Sequence, residues 1–356
     1  MRHVTLLATI LLLSVSNRPA SGQDAFMYQV DVQDQRSDLF HVTLTTPALS
    51  PADSVYSFTA FAPGVHQVLD FGRFVVSFHA FDAEGNEIPT ERRSTNDWAI
   101  SDPTRVTEIR YDMQDSFDAD VEGNVVSPMS GTGIEPAYVA INTHGLFGYF
   151  VEHRSAPTSV ELRYPDGWIV GTALGTDQDG RYVADSFYHL ADSPILLGDL
   201  STASRRLGDI EVQAYVYSPD PSIDADTVMV IADDVLQAAY DFIGYSPVDR
   251  YVFLMYFADE DARKRNRSFI GGGALEHSYS STYALPAMPE MLHFLTDVVA
   301  HEFMHILSPL HLRSEIIAEW DYSRPTGDDK HLWLYEGVTE WTAHTMQLRG
   351  GITARV

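Results

Sequence analysis

The chain has 356 residues, 45% of them hydrophobic, and no cysteine. That is ample for a buried core and points to two domains. Disulfides and thiolate metal sites are excluded, so any metal must be held by histidine and carboxylate. The formal net charge is −27, and lysine occurs only at Lys264 and Lys330. Such a surface repels nucleic acid and anionic membranes and keeps a protein dissolved.

The chain opens with Arg2 and His3, an apolar run over residues 4–15, then Pro19 and Ala20-Ser21-Gly22. A positive start, an apolar stretch of about a dozen residues and a small-residue end make a secretory signal peptide. It is assigned to residues 1–22, with cleavage after Gly22. The apolar run is too short for a membrane-spanning helix. The mature protein is expected in the periplasm or outside the cell, with no membrane insertion after cleavage.

From residue 26 to about 207 the pattern is strand-like. Residues 26–32, 39–44 and 55–61 alternate, and turn signals such as Glu84-Gly85-Asn86 and Asp179-Gly180 separate such runs. Residues 159–164 and 168–172, on either side of Pro165-Asp166-Gly167, predict a hairpin. An N-terminal all-β domain, a sandwich or saddle, is expected over residues 23–215. The period changes near Asp220. Residues 226–245 carry a helical stripe through Val228, Ile231, Val235, Ala239 and Phe242, capped by Asp224 or Asp226. A strand over 251–257 and a charged loop over 259–267 follow. Helices are predicted over 289–307 and 333–348. Residues 216–356 are assigned to a second domain, so the fold class is α+β.

The chemistry is concentrated late. His301-Glu302-Phe303-Met304-His305 reads H-E-x-x-H inside an apolar stretch. On a helix, residues four apart lie on one face. Two imidazoles so placed can chelate one Zn²⁺, and Glu302 is positioned as general base toward a water that the metal activates. A catalytic zinc takes three protein ligands and keeps one position open. Glu336, in Leu332-Trp333-Leu334-Tyr335-Glu336-Gly337, offers the third. Glu340 lies one turn on. It is either the acceptor that fixes the tautomer of a ligand histidine or an exposed helix glutamate.

Upstream, Gly271-Gly272-Gly273-Ala274-Leu275-Glu276-His277 lies about 25 residues before the motif. Glycines there allow a peptide backbone to approach along a strand edge, which makes Gly272, Gly273 and Ala274 candidate substrate contacts. Glu276 is a candidate anchor for a free α-amine. Taken alone, the stretch reads first as a loop with a surface acid; its distance from the H-E-x-x-H motif is what favours the cleft reading. Among possible oxyanion-stabilising groups, Tyr279, Tyr283, His331 and His344 each fit a structural role, as does His277 beside Glu276.

Gly273 to His277 resembles the G-A-M-E-N motif of the large zinc aminopeptidases. The chain is more similar to the glycyl aminopeptidase family. The likeness rests on the G-G-x-E-H-type stretch, H-E-F-x-H, Arg313, Asp321-Tyr322, the L-W-x-x-E-G-x-T run from Leu332 to Thr339, and Phe187-Tyr188-His189-Leu190-Ala191-Asp192-Ser193-Pro194. It covers roughly residues 135–350. The resemblance implies a β domain followed by a thermolysin-like catalytic domain. It implies removal of small N-terminal residues such as Gly or Ala from peptides with a free N-terminus. It implies zinc on His301, His305 and Glu336, catalysis by Glu302, and the substrate amine on Glu276. It also implies a further helical part and a PDZ-like domain, so the chain is expected to be truncated at its C-terminal end. The oxyanion residue is expected in that later part. A zinc endopeptidase of the same fold and a catalytically silent peptide-binding protein remain open at this point.

Overall fold

The computed structural model describes residues 25–265, 269, 272–313, 320–325 and 331–352. The expected signal peptide and Gly271 lie outside the described residues.

The N-terminal half is built from three sheets. The largest has eight strands, with Phe26–Asp31, Leu39–Thr45, Glu108–Gln114 and Val75–Phe81 at its centre. Alternation of buried and accessible residues along Phe26–Asp31 and Leu39–Thr45 puts one face into an aromatic core containing Tyr28, Phe40, Tyr56 and Tyr111. A four-stranded sheet runs Ile169–Thr172, Ile195–Gly198, Tyr138–Ile141 and Thr132–Glu135. A three-stranded sheet holds Val55–Ser57, Asp97–Ile100 and Thr90–Arg92.

The predicted hairpin across Pro165-Asp166-Gly167 does not form. Thr158–Arg163 pairs with Phe26–Asp31 in the eight-stranded sheet, whereas Ile169–Thr172 pairs with Ile195–Gly198 in the four-stranded one. The turn itself is present, with Gly167 at φ 87°. Its chemistry fixes only the reversal; which strands pair is decided by the apolar faces they must bury.

The short helix α1, Phe187–Ala191, has Ser186 as its N-cap, whose side chain accepts from the His189 backbone N–H. Then the second sheet system begins. Its five strands lie in the order Ser201–Leu207, Ile210–Tyr217, Arg250–Ala258, Ser280–Pro286, Gly273–His277. The expected division at 215/216 therefore falls inside the second of these strands, because the change from alternation to helical period comes only after it. Helix α2, Ala225–Ile243, is the crossover between the parallel strands Ile210–Tyr217 and Arg250–Ala258. Asp224 caps it by accepting from Thr227 N–H at 2.8 Å, and Gly244 ends it in the left-handed region. The expected charged loop contains helix α3, Glu260–Arg265, with Lys264 paired to Glu260 one turn away. Helix α4, Leu292–Met304, follows a single 3₁₀ turn over Pro289–Met291, and α5 is Leu332–Arg349. Among the described residues no helix is long and apolar enough to cross a membrane.

Strand Arg250–Ala258 explains why the two halves sit together. It is buried on both faces, hence its unbroken apolar sequence. Tyr251, Phe253, Met255 and Phe257 face α2, α4 and α5. Val252, Leu254 and Tyr256 pack instead with Phe117, Tyr138 and Leu196 of the N-terminal half. The five-stranded sheet is thus held between helices and β domain. A second tie runs the other way. Trp320 and Tyr322 belong to the core of the β domain. Trp320 stacks on Phe61 at 5.4 Å and donates its indole N–H to the Phe61 carbonyl at 3.0 Å. Ala60 and Phe61 N–H both donate to the Tyr322 carbonyl. Trp320→Ala is expected to cost about 3 kcal/mol, because it leaves a cavity and an unpaired carbonyl. Urea unfolding of the two proteins checks this, and an unchanged midpoint would contradict it.

Candidate metal centre and substrate cleft

Helix α4 is fixed to the sheet by Leu295, Val299, Ala300 and Phe303, and the Phe303 ring meets Tyr251 edge-on at 5.1 Å. With that face buried, His301 and the C-cap residue His305 are turned toward α5. Their rings lie 4.8 Å apart, and their Nε2 atoms 3.1 Å apart. Helix α5 brings Glu336 Oε2 to 3.2 Å from His301 Nε2 and 3.9 Å from His305 Nε2. The distal nitrogens are held. His305 Nδ1 donates to the Ser308 carbonyl at 2.9 Å, and His301 Nδ1 donates to Glu340 Oε2 at 2.8 Å. Both acceptors can only accept, so each Nδ1 carries a proton and each Nε2 faces the common centre, able to ligate once it holds no proton of its own.

The donor set fits a tetrahedral cation. At metal–nitrogen bonds of 2.0–2.1 Å, neighbouring ligand atoms stand about 3.3 Å apart. The three distances here bracket that value. Two imidazoles, one carboxylate and no thiolate also match a site with an open fourth position.

The electrostatics carry the same demand for positive charge. Burial works against charging His301, but the hydrogen bond to Glu336 and the charges of Glu302 and Glu340 outweigh it and raise its pKa to about 9. Burial likewise opposes ionisation of Glu336, yet the hydrogen bond from His301 and the neighbouring imidazoles of His305, His301 and His66 hold its pKa below the usual carboxylate value. Glu302 is buried, and its pKa is pushed well up by that burial and by the charge of Glu276, with His301 opposing. A divalent cation at the centre acts on Glu302 in the opposite direction.

Glu276 lies on the edge strand Gly273–His277, opposite Ser281. Its carboxylate comes within 4.8 Å of ligand atoms of Glu302 and His305. Together with Glu336 it lines one cavity of about 130 Å³. Gly272, at φ 87°, would place a Cβ 2.6 Å from the Ala284 carbonyl, and Gly273 would meet the Met129 sulfur at 2.9 Å. Packing within the chain itself therefore requires glycine at 272, whereas at 273 the neighbour is a flexible methionine side chain that can move aside. Ala274 packs at the margin of the helix-side core.

The β domain supplies residues that spacing along the chain did not reveal. Gly64, at φ 73°, abuts Glu276: a Cβ there would stand 2.9 Å from both carboxylate oxygens. His66 adopts φ 55° and places Nε2 4.0 Å from Glu336 Oε1. Both line the cavity, as do Tyr188 and Asp192. Nothing local ties Gly64 and His66 to residues more than 200 positions later. Of the candidate oxyanion groups, Tyr283 is fully buried and Tyr279 lies near His189. His331 precedes α5 beside Tyr335, and His344 pairs with Glu340 at 3.3 Å. None of the four lines the cavity.

Because a metal must displace the His301 proton, metal affinity depends on pH. With a pKa of about 9, the metal-free site holds that proton throughout the neutral range. Apparent affinity is expected to rise by about tenfold per unit between pH 6 and 8 and to level off above pH 9. Competition against a chromogenic chelator measures it, and a flat profile over that range would contradict the assignment.

Comparison with known proteins places these features. Residues 27–199 match the Peptidase M61 N-terminal domain, and residues 294–355 match the M61 glycyl aminopeptidase domain. The second match contains His301, Glu302, His305, Glu336 and Glu340; Glu276 lies between the two. No curated protein matches by sequence. Among solved structures, an aminopeptidase N family protein from Idiomarina loihiensis has a similar fold, with a TM-score of 0.77 at 18% identity over 92% of this chain. Aminopeptidase A from Legionella pneumophila, in complex with aspartic acid, gives a TM-score of 0.51 at 14% identity over 91% of this chain. The chain spans 55% and 37% of the length of these two proteins. With its β half and its motif-bearing helices both matched to successive domains of one family, the chain belongs to the M61 glycyl aminopeptidase family.

Proposed function

We propose that the protein is a zinc-dependent aminopeptidase that removes N-terminal residues, small ones such as Gly or Ala, from peptides. It acts in the periplasm or outside the cell after loss of residues 1–22. The observation that carries this reading is one cavity holding both the metal-binding carboxylate Glu336 and the strand-edge carboxylate Glu276, with Glu302 buried between His301 and Phe303.

His301, His305 and Glu336 would hold zinc, and Glu340 and Ser308 keep the two imidazoles in the ligating tautomer. Bound zinc supplies Lewis acidity, which polarises the scissile carbonyl and makes water a nucleophile near neutral pH. The substrate lies along Gly273–His277, whose outer edge pairs with no other strand among the described residues. There its backbone would run past Gly272, Gly273 and Ala274. Glu276 accepts the α-ammonium, which fixes the register so that the first peptide bond reaches Glu302. Glu302 takes a proton from the attacking water as the water oxygen bonds to the carbonyl carbon. It then passes that proton to the leaving nitrogen as the C–N bond breaks.

Alanyl-p-nitroanilide and its N-acetylated form, with and without chelator, test the reading. Chelator-sensitive release from the free-amine substrate alone is expected; equal release from both would indicate an endopeptidase. Glu302→Gln is expected to lower kcat by about 10²-fold or more while leaving metal content unchanged. A variant of near wild-type rate, or one without metal, would contradict the role given to Glu302.

A further inference from the structure

Asp192 follows α1 in the β domain, yet its carboxylate reaches the strand that carries Glu276. Oδ1 lies 3.2 Å from His277 Nδ1, and Oδ2 accepts the Ser278 backbone N–H at 3.1 Å. A carboxylate only accepts, so His277 Nδ1 is the donor. His277 is buried, the whole residue being 4% exposed. Its other nitrogen, Nε2, is buried and has no hydrogen-bond partner among the described residues. Asp192 is therefore what fixes the orientation of that ring. Both contacts fall on the two residues after Glu276: the last residue of the outermost strand and the first beyond it, and among the described residues that strand has no neighbour on one side. From the same domain, Gly64 packs against the Glu276 carboxylate itself. The β domain thus grips the Glu276 segment at its side chain and just beyond its backbone.

We infer that Asp192 is a positioning residue: through His277 and Ser278 it sets the place of the Glu276 carboxylate, so that recognition of the substrate's free amine depends on the β domain. This rests on the reading that Glu276 binds that amine. Without Asp192, the strand end loses its two fixed bonds and Glu276 no longer meets the ammonium in one geometry. The chemistry at the metal centre, held by α4 and α5, does not change. The expected signature is a rise in KM for free-amine substrates with kcat preserved.

The test is a double-mutant cycle on the metal-loaded protein with alanyl-p-nitroanilide. Asp192→Ala is expected to raise KM by about tenfold, a typical effect of removing a residue that orients a ligand. Asp192→Asn, which keeps an acceptor for Ser278 N–H, is expected to recover part of the loss; it also carries the test if the alanine variant does not fold. In a Glu276→Ala background, Asp192→Ala is expected to add nothing further, because contacts that act through one group are not additive. An unchanged KM, a loss confined to kcat, or equal losses in both backgrounds would each overturn the inference. If Glu276→Ala leaves KM unchanged, the amine-binding reading itself fails and this inference with it. If Glu276→Ala raises KM and Asp192→Ala does not, only the inference fails.

Discussion

Two imidazole nitrogens 3.1 Å apart, with a carboxylate oxygen 3.2 Å from one of them, cannot all present lone pairs to one point without a cation there. The rest of the structure serves that constraint. The proton that His301 holds up to about pH 9 and a metal ion are alternative ways of meeting it. Spacing on one helix brings the two rings together. Tertiary packing brings Glu336, and the bonds to Ser308 and Glu340 keep the rings from turning away. Because α4 is locked onto Tyr251 and the strand Arg250–Ala258 behind it, the site does not collapse toward the sheet.

The same strand gives the β domain its part. Its two buried faces make the five-stranded sheet a shared layer, with helices on one side and the N-terminal half on the other. Trp320 and Tyr322, from the stretch between α4 and α5, are rooted in the β-domain core. The cleft is therefore walled by residues from both halves. Its carboxylates differ in role because their surroundings differ. Glu336 is drawn toward ionisation by imidazoles, whereas burial and Glu276 press Glu302 toward its protonated form.

What was legible in the sequence follows the range of each interaction. His301, Glu302 and His305 lie within five residues, so helical geometry alone put them together. The cap at Asp224 and the stripe of α2 were equally local. Glu336 and Glu276 lie on other elements; they were candidates from their residue type and from the resemblance, but only the fold brings both within reach of the motif helix. The hairpin expected at Pro165-Asp166-Gly167 failed because a turn signal says nothing about which sheet each flank will join. Gly64, His66 and Asp192 were not legible as site residues. Their relation to Glu276 and Glu336 exists only once two domains pack, and no period or spacing encodes that. The glycines before Glu276 were legible as a close approach, but the close neighbours of Gly272 and Gly273 are Ala284 and Met129.

The central claim is that His301, His305 and Glu336 form one metal centre. Anomalous diffraction at the zinc absorption edge, from crystals of the protein supplied with zinc, tests it most directly. The account predicts one strong peak enclosed by His301 Nε2, His305 Nε2 and the Glu336 carboxylate. A folded protein with no peak there, or with its strongest peak at another group of side chains, would contradict it.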